Sequence, residues 1–209
     1  MFGSHKTSHS DPAHTPSAST RKSSGLDQVF SSFPPNESQS ILDMSGASQA
    51  NISFITGLGH RLSSDDVIGT MEQCFGTDFL AGQQAAANAQ RFLDQTLRFH
   101  DDSFDVALVW DALQFLAPPL IDQVIGELLR VVKPGGLMLV FFNADEHASR
   151  IPVYNYRIQD QKNLMQVSRS ALQRSQFFPN RTVERLFEKA ASLKFFLTRD
   201  SLREVIVRR

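Results

Sequence analysis

Residues 104–142 read FDVALVWDALQFLAPPLIDQVIGELLRVVKPGGLMLVFF and decide the fold. The stretch Phe104–Trp110 is nearly continuously apolar, which is typical of a strand that is covered on both faces. The proline pair at 118–119 opens a run with apolar residues at helical spacing, because proline fits the first helical turn. The KPGG sequence at 133–136 ends that helix, and residues 137–142 form a second buried strand. Strand, helix and strand in this order predict a βαβ unit and therefore a parallel sheet.

The residues before this unit predict further strands and helices in alternation. A buried strand over 38–44 is followed by a polar turn, and a helix then carries Ile52, Ile55 and Leu58 at three-residue spacing. The other predicted elements in this region are a strand at 60–64, a helix at 67–75, an ambiguous helical stretch at 82–91 and a third strand at Arg91-Phe92-Leu93.

The C-terminal part of the chain has a different pattern. A polar helix is predicted within 160–176, and a second helix over 181–191 has apolar residues at helical spacing, with Asn180 as its N-cap. Two strands, 193–198 and 202–207, are joined by a link so short that it permits only an antiparallel hairpin. The sequence therefore predicts a largely parallel α/β sheet that ends in an antiparallel hairpin.

The composition limits the class of protein. Among 209 residues, 21 basic and 22 acidic side chains give a net charge of −1, which argues against a broad nucleic-acid-binding surface. Cys74 is the single cysteine, so an internal disulfide and a multi-cysteine zinc site are excluded, and a cytoplasmic protein is predicted. No apolar run approaches the roughly 20 residues that cross a bilayer, so no membrane span is predicted. Residues 1–25 are rich in Ser, His and Pro and are predicted to be a disordered tail, which leaves 26–209 as one domain.

Four stretches carry a resemblance to a known family. They are 41–46 (ILDMSG), 101–106 (DDSFDV), 128–136 (LLRVVKPGG) and the terminal helix with its hairpin. Residues 38–209 resemble a class I S-adenosylmethionine-dependent methyltransferase domain of the methyltransferase-11 type. The resemblance implies a Rossmann-like, mostly parallel sheet with helices on both faces, a C-terminal antiparallel β-hairpin, and S-adenosylmethionine as the cofactor.

Small and acidic residues follow the predicted strands, and in open α/β sheets ligands bind beyond the carboxyl ends of the strands. The resemblance implies that Asp65, or alternatively Asp66, holds the ribose of the cofactor, and that Asp94 lies near the adenine amino group. It also implies that the loop beginning with Trp110 and Asp111 lines the methyl donor. Structural interpretations stay open, because Asp65-Asp66 can begin a helix and Trp110 can belong to the core.

The first turn departs from the D-x-G-x-G-x-G pattern of the family. The three glycine positions after Asp43 hold Ser45, Ala47 and Gln49. Gly46 is a glycine, but it is off pattern. Ser45, Gly46 and Ala47 are nevertheless small enough for the backbone to approach a ligand closely. Asp43 either contacts the cofactor or accepts hydrogen bonds from the backbone of the turn.

Three functions stay open at this point. The leading hypothesis is S-adenosylmethionine-dependent methyl transfer to an unidentified acceptor, a small molecule or a protein, with no catalytic residue and no metal site identified. The alternative is a catalytically inactive methyltransferase-like domain that acts as a binding or scaffold module, which the missing glycines favour. A nicotinamide-dependent oxidoreductase is the third, and it lacks the glycine fingerprint. Candidates for acceptor contacts are residues 144–156 and the predicted helix within 160–176, because long connections often carry function.

Overall fold

The computed structural model describes residues 17–196, 198 and 201–209, which form two β-sheets and the helices packed on them. The strands are β1 (Ala18–Lys22), β2 (Ser40–Asp43), β3 (Arg61–Ser64), β4 (Phe104–Trp110), β5 (Val132–Asn143), β6 (Arg150–Ile158), β7 (Asn163–Gln173), β8 (Ser192–Phe196) and β9 (Leu202–Arg208). The helices are α1 (Ser24–Ser31), α2 (Gln49–Gly57), α3 (Val67–Phe75), α4 (Phe79–Gln84), α5 (Ala86–Gln95), α6 (Leu120–Val131) and α7 (Asn180–Leu186). A 3-10 turn at Ala112–Phe115 follows β4.

The larger sheet has the strand order β3-β2-β4-β5-β9-β8. Strands β3, β2, β4 and β5 run parallel, whereas β9 is antiparallel to both of its neighbours, β5 and β8. The βαβ unit predicted from residues 104–142 is formed by β4, α6 and β5. The predicted fold, a mostly parallel α/β sheet that ends in an antiparallel hairpin, is confirmed.

Both faces of this sheet are buried, as the apolar central strands predict. Along β4 the side chains alternate, so that Val106 and Leu108 join one core cluster while Ala107 and Val109 join the other. The first cluster also contains residues of α1, α2 and the smaller sheet. The second cluster contains residues of α3, α5, α6 and α7. Helices therefore cover both faces, as predicted.

A smaller antiparallel sheet, with the order β1-β7-β6, covers one face of the larger sheet and is not foreseen in the sequence. The prediction of a polar helix within 160–176 is wrong, because β7 occupies most of this range. The buried side chains along β7 are Leu164, Gln166 and Ser168. Two of these three are polar, so the strand lacks the apolar alternation by which a half-covered strand is recognised.

The third strand predicted at Arg91–Leu93 is also wrong, because these residues lie in α5. A three-residue apolar run fits a helix as well as a strand. Phe92 is buried on the helix side of the core, where its ring centroid lies 5.2 Å from that of Phe75 in α3. As a result, β3 is an edge strand of the larger sheet.

The C-terminal helix is shorter than predicted. It spans Asn180–Leu186 instead of 181–191, and Pro179 occupies the N-cap, so Asn180 is the first helical residue. Val183 and Phe187 are buried at the helical spacing that the sequence predicts. Within the described residues, no helix is both long and apolar enough to cross a membrane.

Residues 18–31, here called the N-terminal strap, dock on β9 of the larger sheet. Glu204 on β9 is completely buried and accepts hydrogen bonds from Arg21 Nη2 at 2.7 Å, Ser23 Oγ at 3.0 Å and Gly25 N at 2.6 Å. Gly25 allows this approach, because a Cβ there would lie 2.5 Å from Leu139 Cδ1. The buried carboxylate thus holds the strap through three donors.

The strap corrects the predicted domain boundary. Residues 18–25 were expected to belong to a disordered tail, but Ala18–Lys22 pairs with β7 and Ser23 caps α1 by accepting a hydrogen bond from Leu26 N at 3.0 Å. Polar residues of this segment bond to a carboxylate far along the chain, which composition alone does not reveal. Residues 1–16 of the predicted tail lie outside the described residues.

We expect Arg21→Ala to lower the free energy of unfolding by about 3 kcal/mol, because it leaves a buried carboxylate without its cation. Chemical denaturation of the full chain measures this change. Lys22→Ala is the matched control. Lys22 is the exposed neighbour of Arg21, so its removal should change the free energy of unfolding by less than about 0.5 kcal/mol. Equal stability of the two variants would contradict the assigned role of the Arg21–Glu204 pair.

Candidate functional site

The carboxyl ends of β2, β3 and β4 bring together eight of the nine predicted site residues, which are Asp43, Ser45, Gly46, Ala47, Asp65, Asp66, Trp110 and Asp111. Backbone hydrogen bonds join these ends: Asp65 N donates to Asp43 O at 2.9 Å, and Gly46 N donates to Asp65 O at 3.3 Å. Asp94 is the exception. It lies exposed on α5, where its Oδ1 accepts a hydrogen bond from Gln90 Nε2 at 2.8 Å, so its predicted place at the end of a strand is wrong.

Asp43 is the hydrogen-bonding centre of this edge. Its Oδ1 accepts hydrogen bonds from Ser45 N at 3.0 Å, Ser45 Oγ at 2.8 Å and Trp110 Nε1 at 2.7 Å. Its Oδ2 accepts a hydrogen bond from Asn51 Nδ2 at 2.6 Å. Burial raises the pKa of Asp43, and the hydrogen bonds from Trp110, Asn51 and Ser45 oppose that rise. The carboxylate is therefore committed to the turn and its neighbours, as the structural interpretation of this residue expects.

Asn51 is a buried polar residue beside the candidate site that the sequence analysis missed. Its Nδ2 also donates to Tyr156 O at 3.0 Å, and its Oδ1 accepts a hydrogen bond from Ile158 N at 2.7 Å. The side chain thus ties the first turn of α2 to both β2 and β6. Its one signal in the sequence is its spacing, because it shares a helix face with buried Ile55 four residues later.

Trp110 is part of a buried aromatic group. Its ring stacks on that of Tyr156, with centroids 4.9 Å apart and planes 8° from parallel, and both rings contact Phe141 edge to face. Trp110 has a φ of +55°, which is unusual for a bulky residue and occurs where the surrounding structure imposes it. With 1% of its surface exposed, Trp110 belongs to the core in this structure.

Asp111 is buried beside this aromatic group. Burial raises its pKa to about 7, and its proximity adds to the effect of burial in raising the pKa of Tyr156. Within the described part of the chain, neither Asp111 Oδ2 nor Tyr156 Oη has a partner at hydrogen-bond geometry. Asp111 and Tyr156 are thus two buried polar side chains that lie close enough to influence each other's pKa.

The two aspartates after β3 have different surroundings. Asp65 Oδ2 accepts a hydrogen bond from Leu97 N at 2.7 Å, and burial raises the pKa of this carboxyl. Asp66 caps α3, accepting from Gly69 N at 2.9 Å, and its side chain is 53% exposed. Asp66 therefore begins a helix and also faces solvent, whereas Asp65 is turned toward the protein.

A cavity of about 620 Å³ lies at this edge and is here called the edge cavity. It is bounded by the turn and first helical turn 45–50, by Asp66, and by Asn155, Tyr156, Arg157 and Arg169 of the smaller sheet. Ser48 at the N-cap of α2 makes no side-chain capping bond. Arg169 lies 3.0 Å from Glu72 Oε2 and 3.7 Å from Asp66 Oδ1. The edge cavity is thus mostly polar, with both signs of charge on its walls.

Two other cavities lie apart from the predicted site residues. One of about 510 Å³ lies between α6 and α7, and one of about 610 Å³ lies between α5 and the start of α6. Neither is lined by any of the predicted site residues, so the edge cavity is the candidate site. Among the residues that the structure describes, no group of His, Cys, Asp and Glu could hold a metal ion.

We expect Asp111→Asn to change how stability depends on pH. The raised pKa means that the folded protein keeps Asp111 protonated where the unfolded chain ionises it, so its contribution to stability is lost between pH 3.8 and about 7. Asparagine removes this loss. From pH 4 to pH 8, the free energy of unfolding of the variant should therefore rise relative to that of the unmodified protein by at least about 1.4 kcal/mol, which corresponds to one pKa unit. Denaturation of both proteins at the two pH values measures the difference, and parallel pH profiles would contradict the assignment.

Comparison with known proteins agrees with the fold. Residues 56–140 match the family model of a methyltransferase domain, a segment that begins after the turn at 45–48. No curated protein matches the chain. The PH0226 protein of Pyrococcus horikoshii has 14% identity and a TM-score of 0.51, covering 88% of this chain and 87% of its own. A Methanosarcina mazei S-adenosylmethionine-dependent methyltransferase has 17% identity and a TM-score of 0.49, covering 83% of this chain and 93% of its own.

A further similar structure is that of the [4+2]-cyclase SpnF, with 13% identity and a TM-score of 0.50, covering 88% of this chain and 79% of its own. Its name shows that this fold is not restricted to one reaction. The match at residues 56–140 and the sheet topology both agree with the resemblance to class I, S-adenosylmethionine-dependent methyltransferases.

Proposed function

We propose that the protein binds S-adenosylmethionine in the edge cavity and transfers its methyl group to an acceptor. The observation that carries this proposal is the position of the cavity, beyond the carboxyl ends of β2 and β3 in a chain whose residues 56–140 match a methyltransferase domain model. Its volume of about 620 Å³ falls within the range of small-molecule sites. Ser45, Gly46 and Ala47 supply the small residues that a close approach of backbone to cofactor requires.

Asp66 is the residue that suits the ribose. Its carboxylate lines the edge cavity and is half exposed, so it can accept hydrogen bonds from the two hydroxyl groups. Asp65 suits this role less, because it does not line the edge cavity. Of the two alternatives that the sequence left open, the geometry favours Asp66.

When bound, the sulfonium of S-adenosylmethionine supplies an activated methyl group. The work of the protein is then to hold the donor and the acceptor in line and to exclude water. Trp110 and Asp111 are buried behind Tyr156, so they would act by shaping the inner wall of the site. The turn at 45–48 and the smaller sheet would enclose the cofactor from two sides.

The acceptor is proposed to be a small molecule or a protein, bound near the connection that follows β5. Tyr154 and Arg150 of β6 line a cavity of about 280 Å³ together with Asn143 and Asp145. Six of the ten residues that line this cavity belong to the segment 144–156 that the sequence suggested for acceptor contacts.

The single thiol, Cys74, is buried and unpaired, which supports the proposal of a cytoplasmic protein.

A catalytically inactive binding module is the second candidate, and one observation favours it. Asp43, Trp110 and Asp111 are all buried, and the Trp110–Tyr156 stack closes the inner end of the site. Side chains of the chain itself therefore fill the region behind Tyr156, and no cofactor group can enter there in this structure.

Calorimetric titration with S-adenosylmethionine and S-adenosylhomocysteine separates these candidates. We expect micromolar binding that Ala47→Trp weakens at least about tenfold, because the exposed Ala47 lines the edge cavity and tryptophan would fill it. Ala87→Trp, at an exposed position on α5 outside the cavity, is the matched control. Absence of binding at millimolar ligand would contradict the methyltransferase proposal, and binding that Ala47→Trp leaves unchanged would place the cofactor elsewhere.

A further inference from the structure

We infer that Arg157 selects the amino-acid end of the cofactor by binding its carboxylate. This inference rests on the proposed function and goes beyond it, because it assigns one end of the edge cavity to one group of the ligand. It also gives the smaller sheet a role in recognition, although this sheet is not part of the predicted fold.

The backbone on both sides of Arg157 is fixed against α2. Asn51 Nδ2 donates to Tyr156 O at 3.0 Å, and Asn51 Oδ1 accepts a hydrogen bond from Ile158 N at 2.7 Å. Tyr156 and Ile158 are buried, while Arg157 between them is exposed and lines the edge cavity, as strand alternation requires. The guanidinium is therefore carried by a strand that is anchored to α2, whose first residues also line the cavity.

The two arginines of the cavity differ in their partners. Arg169 lies within ion-pair distance of both Glu72 and Asp66. Among the described residues, Arg157 makes no ion pair and no side-chain hydrogen bond. One cation on the wall of the edge cavity is thus available to a ligand, and a guanidinium binds a carboxylate through two parallel hydrogen bonds.

The proposed cofactor has one anionic group that fits this cation. Its adenine and ribose are neutral, and the carboxylate lies at the opposite end of the molecule. With Asp66 and Arg157 on the wall of the same cavity, the ribose would be held by the carboxylate of Asp66 and the amino-acid end by the guanidinium of Arg157. The pair of opposite charges thereby fixes the direction in which the cofactor lies.

Two ligands test this assignment: S-adenosylhomocysteine, and 5′-methylthioadenosine, which keeps the adenosine and thioether but lacks the amino-acid end. Arg157→Gln should weaken S-adenosylhomocysteine about tenfold or more in calorimetry and change 5′-methylthioadenosine by less than about twofold. Arg157→Lys should keep part of the affinity for S-adenosylhomocysteine, because lysine keeps the positive charge but lacks the two parallel donors of the guanidinium. Arg181→Gln, which removes an exposed arginine on α7, should leave both ligands unaffected.

The outcomes separate this inference from the proposed function. If the unmodified protein binds both ligands and Arg157→Gln weakens neither, or weakens both equally, the role of Arg157 is overturned while the cofactor site stands. If the unmodified protein binds neither ligand, the proposed function fails and takes this inference with it. Thermal melting of each variant confirms that the exposed substitutions leave the fold intact.

Discussion

A buried carboxylate must be satisfied by hydrogen bonds, and at the carboxyl edge of this sheet that requirement organises everything around Asp43. Its four bonds reach the turn at Ser45, the indole of Trp110 and the amide of Asn51. Asn51 in turn holds the backbone of β6. Through this chain of contacts, β2, β4, α2 and the smaller sheet are fixed relative to one another. The shape of the edge cavity is a consequence of that network.

The larger sheet could be predicted because its signals are local. The apolar strand Phe104–Trp110, the proline-opened helix and the KPGG stop follow one another within a single βαβ unit, and the hairpin is forced by a short link. The errors arise where the deciding contacts are distant or ambiguous. Three apolar residues at 91–93 suit a helix and a strand equally, and β7 turns Gln166 and Ser168 inward. The strap depends on Glu204, which lies 183 residues after Arg21.

The candidate site could likewise be predicted only in part. The positions of Asp43, Asp65, Asp66 and Trp110 at one sheet edge follow from topology, because parallel strands end together. Which of these side chains face the cavity does not follow from topology, since exposure depends on what packs above the edge. The smaller sheet supplies that cover and buries Trp110 beneath Tyr156, while Asp66 stays open. Arg157 and Arg169 also come from this sheet.

The anchoring of the strap on β9 has a consequence for synthesis of the chain. Arg21 of the strap is synthesised 183 residues before Glu204, whose carboxylate binds it. A nascent chain on the ribosome therefore carries residues 18–31 without their binding partner until Glu204 emerges. Throughout that interval, apolar residues of α1 such as Leu26 and Phe30 lack the part of their core cluster that β9 supplies. A chain that is truncated before β9 lacks Glu204 and cannot dock the strap. We expect chaperones and proteases to bind the undocked strap of such a chain.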